Sequence, residues 1–467
     1  MPRVRDGRFD AAPTYTRHVA VDTKRSVDTA SVARDTKEHV LVSWSAQGAI
    51  SPLVITGAQG SWLLAGDRRI LDFSSGLVNV NLGHGHPKVV KAIQDQAAKV
   101  CYVLPSFGEE SRAELARLIA DVAPGDLVKT LFTTGGTEAN EHAVRIARMF
   151  SGRHKILTQW RSFHGQTAGS ATLGGDNRRW ANEPGITGVV HFLNPDPYRS
   201  LFGNDVQKAL AHVEEVIWYE GPQYIAAILL EPIVGSSGLI VPPDGYLRGL
   251  RELCDRHGIL LVLDEVMTGF GRTGKWFASE HEDVVPDMMT FAKGVNSGYV
   301  PLGGVIVSER IARHFDANVL WSGLTYSGHP LACAAGVATV NAYRDERIVE
   351  HGAKMGELLM RELRTIATRH PSVGDVRGKG LFIGIELVKD RGTKEMLERW
   401  NGPSAKLQNA LKNALFSRDV YVMNRWNMLF VAPPLTSSED EIRIGVRAID
   451  EVLDIADRFA ATGELPA

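Results

Sequence analysis

From about residue 88, the chain alternates between segments with apolar residues every three or four positions and short, continuously apolar runs. The first pattern predicts amphipathic helices over 88–100, 109–122 and 246–257. The second predicts strands over 129–133, 155–159, 225–230, 259–263 and 288–292. The run ILLVL at 259–263 is apolar at every position, as in strands covered on both faces of a parallel sheet. The alternation therefore predicts an α/β fold with a mainly parallel sheet flanked by helices.

The two ends of the chain have a different pattern of apolar and polar residues. Residues 1–40 are polar with little periodicity, which predicts a loosely ordered arm that packs on a neighbouring subunit. Strand-like runs follow over 41–75, and longer amphipathic helices with short strands fill 336–467. We expect these two segments to form a smaller α+β domain beside a large domain over 76–335, although the sequence alone does not show that they meet.

Charge and cysteine content narrow the classes of partner. A formal net charge of −2 favours neither nucleic acid nor an anionic membrane, so a small molecule is the expected partner. The three cysteines lack CxxC spacing, which indicates a reducing compartment. The N-terminus shows no apolar signal segment, and Glu231 and Pro232 interrupt the longest apolar run. These features predict a cytoplasmic protein without a membrane span.

Three residues whose side chains can take part in catalysis stand where predicted strands end: Glu231, Asp264 and Lys293. Ligands of open α/β sheets bind beyond the carboxyl ends of the strands. A buried carboxylate needs a cation beside it, and a protonated pyridine nitrogen would serve Asp264. A lysine in a desolvated pocket can be neutral and nucleophilic, as a Schiff-base lysine must be. Taken singly, Asp264 could cap a turn and Lys293 could lie on the surface.

Glycine-containing motifs permit several interpretations. In GGTEAN at 135–140, a glycine turn before a helix can bind phosphate, although plain capping fits equally well. GFGRTG at 269–274 matches a dinucleotide motif, but five residues separate it from the strand and no good helix follows. As a P-loop it has Trp276 where Ser or Thr must bind magnesium. His84 and His86 lack a third ligand, so we expect a turn there and no metal site.

Taken in order, a set of motifs resembles the class III, or ω-, aminotransferases of fold type I, which use pyridoxal 5′-phosphate (PLP). The motifs are GGTEAN, SFHG at 162–165, LLEPI at 229–233, LVLDEVMTGFGRTG at 261–274, TFAKGV at 290–295 and GLTYSGHPLACAA at 323–335. The resemblance extends from about residue 40 to the C-terminus. It implies a PLP cofactor and a transamination in two half-reactions.

The resemblance also implies roles for single residues. Lys293 would carry PLP as a Schiff base and then act as general base and acid. Asp264 would keep the pyridine nitrogen protonated, with Glu231 near the ring hydroxyl. Gly136 and Thr137 would hold the phosphate.

The same resemblance assigns the surroundings of the cofactor ring. Phe163 stands where the family usually has a tyrosine stacked on the ring, and Val266 would pack on the opposite face. His164 is assigned to cofactor binding beside Phe163. Thr325 would reach the phosphate of the neighbouring subunit, which implies a homodimer or a higher homo-oligomer.

For substrates, the resemblance implies an amine donor and an oxo-acid acceptor such as pyruvate. The segments NEPG at 182–185 and VVPD at 284–287 look closest to the taurine–pyruvate branch, which acts on ω-amino acids. Val78 stands where many relatives have tryptophan, which predicts a larger pocket. Arg425 is the candidate for binding a carboxylate or sulfonate, and Tyr102 is a further candidate pocket residue.

Three alternatives remain at this point. A racemase or aminomutase on the same fold would share Lys293 and Asp264 but need no oxo-acid acceptor. A non-catalytic regulatory domain is disfavoured by the intact lysine, aspartate and phosphate-binding motifs. A nucleotide enzyme is disfavoured by the irregular context of the 269–274 motif.

Overall fold

The computed structural model describes residues 27–465. The N-terminal unit, up to Thr56, contains helix α1 (Thr29–His39), which begins after Asp28. The Asp28 carboxylate accepts a hydrogen bond from the Ser31 amide at 3.1 Å, which satisfies one free donor of the first turn. Residues 1–26 of the predicted arm lie outside the described residues.

A seven-stranded sheet dominates the second unit, which runs from Gly57 and is described to residue 465. Its strands are β4 (Leu127–Thr133), β5 (Lys155–Gln159), β6 (Val189–Phe192), β7 (Ile225–Leu230), β8 (Leu260–Asp264), β9 (Met288–Phe291) and β10 (Gly303–Ser308). They lie in the order β4-β10-β9-β8-β7-β5-β6. Strand β10 runs antiparallel to both its neighbours, and the pairs from β9 to β6 are parallel. The predicted mainly parallel sheet is confirmed.

Helices cover both faces of this sheet. They are α3 (Pro87–Lys99), α4 (Glu110–Val122), α5 (Gly136–Ser151), α6 (Ala168–Leu173), α7 (Val206–Glu220), α8 (Tyr246–His257), α9 (Glu309–Ala317) and α10 (Pro330–Asp345). Leu261 and Leu263 of β8 pack into a core with α7 and α8, whereas Leu260 and Val262 pack into a second core with α5. The continuous apolar run of β8 therefore reflects burial on both faces.

The second unit also contains two smaller sheets, one of which takes strands from both of its ends. Their strands are β1 (Gly57–Gln59), β2 (Trp62–Ala65), β3 (Arg68–Asp72), β11 (Val373–Lys379), β12 (Phe382–Asp390), β13 (Glu395–Met396), β14 (Val420–Tyr421), β15 (Met423–Arg425) and β16 (Met428–Val431). The helices here are α2 (Ser75–Val78), α11 (Ile348–Ala367), α12 (Lys406–Phe416) and α13 (Glu439–Thr462). Leu71 of β3 pairs with Val420 of β14, so the two ends of the chain meet in one sheet.

Within residues 27–465, no helix combines the length and the apolar character needed to cross a bilayer.

Candidate active site

The carboxyl ends of four neighbouring strands open onto one cavity of about 400 Å³. The residues at these strand ends line it: Phe163 and His164 after β5, Glu231 after β7, Asp264 at the end of β8, and Lys293 after β9. Parallel strands end on the same edge of a sheet, where ligands of such folds bind. The fold therefore brings together the residues that the sequence placed at separate strand ends.

Lys293 projects into this cavity from the first residues after β9. Its backbone has a φ of 43°, a left-handed conformation that non-glycine residues rarely adopt and that clusters at functional sites. Burial lowers the pKa of the Lys293 amine to about 8, and the charges of Asp264 and Glu231 oppose this shift. About a tenth of the amine is consequently neutral at pH 7.

The Asp264 carboxylate is almost fully buried and accepts three hydrogen bonds. Its Oδ1 accepts from the Val266 amide at 3.0 Å. Its Oδ2 lies 2.8 Å from Nδ2 of Asn140 and 2.7 Å from Nδ1 of His164. A carboxylate offers about four lone-pair positions, so one remains for a further donor in the cavity.

Glu231 forms the neighbouring part of the wall and is also buried. Its carboxylate accepts hydrogen bonds from the Phe163 amide at 3.0 Å and the Gly235 amide at 2.8 Å. Burial raises the pKa of Glu231. The charge of His164 opposes this rise, whereas the charge of Asp264 adds to it. Two buried carboxyl groups beside one lysine leave the site with little net charge when Glu231 is protonated.

The N-terminus of α5 forms the opposite part of the wall through Gly135, Gly136 and Thr137. Within residues 27–465, no side chain caps this helix. Its first N–H groups and the positive end of its dipole are thus available to an anion in the cavity. A Cβ on Gly136 would lie 2.8 Å from the side chain of Val266, so glycine allows Val266 to pack closely against the helix start.

The guanidinium of Arg178 packs against the ring of Phe163. The guanidinium of Arg178 lies 3.6 Å from the centre of the Phe163 ring, and its charge lowers the pKa of Lys293. Asp176 pairs with Arg178, and Nη2 of Arg178 also donates to Oγ of Ser236 at 2.9 Å. A guanidinium within electrostatic reach of Lys293 can attract an anionic group of a substrate.

Four residues singled out from the sequence do not line this cavity in the described part of the chain. Val78 is buried in a core with Met267. Arg425 donates to the Ser236 carbonyl at 3.0 Å and lies 3.6 Å from Asp176.

The other two lie on exposed surface. Thr325 is exposed, and the Tyr102 hydroxyl donates to its carbonyl at 3.0 Å.

Other residues also form the wall and its support, although no pattern in the sequence assigned them a role. Leu77 and Asn79 line the cavity on either side of Val78, because the left-handed backbone of Val78 (φ 59°) turns that side chain into the core. Asn140 is in the quoted GGTEAN motif but received no role. Arg178 lies in a segment without periodicity, and no pattern in the sequence could have found it.

The residues of the cavity fit PLP at each of its reactive parts. Uncapped N–H groups of α5 suit a phosphate, the free lone pair of Asp264 suits a protonated ring nitrogen, and the Lys293 amine suits an aldehyde. Fold and site together define a PLP-dependent enzyme of fold type I. The chain belongs to the class-III aminotransferase family, whose model matches residues 44–453.

Relatives and solved structures agree with this family. The taurine–pyruvate aminotransferase of Bilophila wadsworthia is 35% identical over 399 residues, which cover 81% of this chain and 86% of the relative. The taurine:2-oxoglutarate aminotransferase of Bifidobacterium kashiwanohense, solved with PLP and glutamate, matches with a TM-score of 0.90 and 41% identity over 93% of this chain and 99% of that one. An (S)-enantioselective ω-transaminase of Thermomicrobium roseum matches with a TM-score of 0.88 and 36% identity, over 92% and 100%.

Proposed function

We propose that this aminotransferase moves an amino group from an amine or ω-amino acid to pyruvate or a similar oxo acid. Taurine, β-alanine and bulkier amines are the proposed donors. The observation that carries the proposal is the position of the Lys293 amine, which shares one cavity with Asp264, Glu231 and the uncapped start of α5, and whose pKa is lowered by burial there. Similarity to enzymes named for taurine with pyruvate or 2-oxoglutarate supports the donor and acceptor classes.

The proposed roles follow from the contacts of each residue. Lys293 would hold the cofactor covalently, and its amine, released when the substrate amine takes its place, would move the proton at the substrate carbon. When bound, PLP supplies an electron sink for the electrons of the broken C–H bond. Asp264 keeps a proton on the ring nitrogen, and Glu231 lies near the ring hydroxyl. His164 donates to Asp264 and supports its charge.

The remaining roles concern orientation. Gly136 and Thr137 bind the phosphate with the N–H groups of α5. Phe163 and Val266, which both line the cavity, would pack on the two faces of the ring. Thr325 is exposed and reaches the phosphate site of a neighbouring subunit, so the active unit is a homodimer or a larger oligomer.

Arg178 is the proposed contact for the acid group of an ω-amino acid. It lies against Phe163 and acts electrostatically on Lys293. Arg425 contacts the same Asp176 as Arg178 and is the second proposed contact for this acid group. A guanidinium suits the planar or tetrahedral oxygens of a carboxylate or sulfonate.

The test uses the visible absorbance of the PLP-loaded protein. Each donor is added without acceptor, and the panel is taurine, β-alanine, putrescine and 1-phenylethylamine. We expect at least one donor to bleach the band and pyruvate or 2-oxoglutarate to restore it. The variant K293A should show no bleaching, whereas K275A, which changes an exposed lysine, should behave as the native protein. A loaded protein that no donor bleaches would overturn the proposal.

The role of Arg178 predicts a selective loss with acidic donors. R178Q should lower kcat/KM for taurine and β-alanine by about 30-fold, since a charge-assisted contact of about 2 kcal/mol is removed. Activity with 1-phenylethylamine, which has no acid group, should change less than about threefold. R425Q is the matched comparison at the second contact, and an equal or larger loss with taurine in R425Q would contradict the assignment of Arg178 as the first.

A further inference from the structure

Asn140 lies at the start of the second turn of α5, and its side chain is 1% exposed. Its amide crosses from the helix to the sheet and makes three hydrogen bonds. Nδ2 donates to Oδ2 of Asp264 and to the carbonyl of His164, each at 2.8 Å. Oδ1 accepts from Oγ1 of Thr290 on β9, also at 2.8 Å. The Asn140 side chain therefore connects α5 to strands β8 and β9 and to the loop after β5.

Donor and acceptor chemistry permits a single orientation of this amide. The Asp264 carboxylate and the His164 carbonyl can only accept, so the NH₂ group must face them. Thr290 is fully buried, and its hydroxyl supplies the donor that the amide oxygen needs. Every hydrogen-bonding group of the Asn140 amide is satisfied, which holds it without rotation.

The position of Asn140 along α5 connects two groups that are proposed to bind the cofactor. Gly136 and Thr137, four and three residues earlier on the same helix, are the proposed phosphate contacts. Asp264, at the other end of the Asn140 amide, is the proposed contact for the ring nitrogen. The cofactor touches both groups at once, so the distance between them must be held constant.

We propose that Asn140 is a positioning residue that fixes the Asp264 carboxylate relative to the N-terminus of α5, with Thr290 holding the Asn140 amide. The inference rests on the proposed roles of Asp264, Gly136 and Thr137. Asn140 contributes one of the three hydrogen bonds that stabilise the charge of Asp264, and the remaining lone pair of that carboxylate would be free for the ring nitrogen.

A purely structural role would predict only a loss of stability. Asn427 offers a matched comparison, because its buried amide donates to the Leu387 carbonyl at 2.9 Å and lies in the turn between β15 and β16. N427A should lower the thermal midpoint but leave the cofactor spectrum unchanged. N140A should change both.

The experiment compares N140A, N140D, T290V, T290S and N427A as PLP-loaded proteins. The visible band is titrated with pH, and kcat and donor KM are measured beside it. In N140A and N140D we expect the pH midpoint of the visible band to move by about one unit. In N140A the hydrogen bond to the ionised Asp264 is removed, and in N140D it is replaced by a proton shared between two carboxyl groups. We also expect kcat to fall by 10-fold or more with donor KM within about twofold, since no donor contact changes. T290V should show a smaller shift in the same direction, and T290S none.

The outcomes separate this inference from the proposed function. Loss of PLP binding or of donor bleaching in the native protein would overturn both. Native behaviour with an unchanged midpoint and kcat in N140A and N140D would overturn the role of Asn140 alone. If N140A does not fold, the near-isosteric N140D and T290V decide the question, and unshifted midpoints in both would refute it.

Discussion

Opposing influences act on the amine of Lys293. Burial lowers its pKa, the charges of Asp264 and Glu231 raise it, and the charges of Arg178 and Arg272 lower it again. The result, a pKa of about 8, lies close to the pH at which a cell works. Such a lysine can lose its proton to become a nucleophile and regain it as an acid.

This balance predicts how the apoprotein captures PLP as the pH changes. Only the neutral Lys293 amine attacks an aldehyde, so the capture rate should rise about tenfold from pH 7 to pH 9, with a midpoint near 8. D264N removes a charge that raises the pKa, so its midpoint should lie at lower pH. Stopped-flow absorbance at a series of pH values measures both, and a midpoint above 10 in the native protein would contradict the prediction.

Helix α13 is held at its C-terminal half by a buried histidine. His370 lies between Asp457, 2.7 Å from Nδ1, and Asp450, 2.9 Å from Nε2. Burial disfavours the charged imidazole, but the hydrogen bonds to both carboxylates outweigh it and raise the pKa of His370. Asp454 lies 3.8 Å away, and Arg369 pairs with Asp450, so the group is a network rather than a single pair.

The His370 network predicts stability that depends on pH. The folded-state pKa lies above the unfolded value of about 6.5, so the contribution is fully present below that pH and is lost as pH rises through the folded pKa. H370Q should lower the free energy of unfolding by about 2 kcal/mol at pH 6 and by clearly less at pH 9. Urea unfolding at both pH values measures this, with H154Q, at an exposed histidine, as control. A loss that is equal at pH 6 and pH 9 would show that the charge of His370 is irrelevant.

In the second unit as a whole, Arg272 joins the large sheet to the smaller ones. Its fully buried guanidinium donates to the carbonyls of Leu381 at 3.0 Å and Pro433 at 2.6 Å, and to Oδ1 of Asn81 at 2.8 Å. The segment that resembled a nucleotide motif is thus a structural connection, and burial lowers the pKa of Arg272 to about 10. The loop that follows Asp264 is held by both chain ends.

The proposed contribution of Thr325 to a neighbouring site predicts a result that only an oligomer can give. T325A should weaken PLP binding by about 10-fold, since a hydrogen bond to a phosphate is lost. K293A should abolish activity. A hybrid of a K293A chain and a T325A chain contains one intact site if Thr325 acts across the interface, and no intact site if it acts within its own chain.

The hybrid is prepared by co-expression with two different tags, and its activity is measured at limiting PLP. We expect about half of the native activity. Activity no higher than that of a T325A homodimer diluted twofold would place Thr325 in its own subunit and contradict the proposal.

The local pattern of the sequence was sufficient for much of the fold. Helix α8 has the predicted bounds, and strand β5 does as well, because burial of one helix face and continuous burial of a strand both leave their period in the chain. Asp264 ends a fully apolar strand and Lys293 follows the next one, so both could be placed at the edge of the sheet. The resemblance of the motifs to the family indicated PLP as the cofactor.

The tertiary structure decided what no local pattern contains. Val78 and Leu77 are adjacent apolar residues, and only the left-handed backbone at Val78 decides which of them lines the cavity. In the sequence, Asn140 is one polar residue near a helix start, and only the fold brings Asp264 of β8 and Thr290 of β9 to its amide. The sequence by itself determined the elements and the chemical groups at their ends, because these follow from neighbours along the chain. The contacts that orient those groups depend on residues brought together across the chain, and these only the folded structure defines.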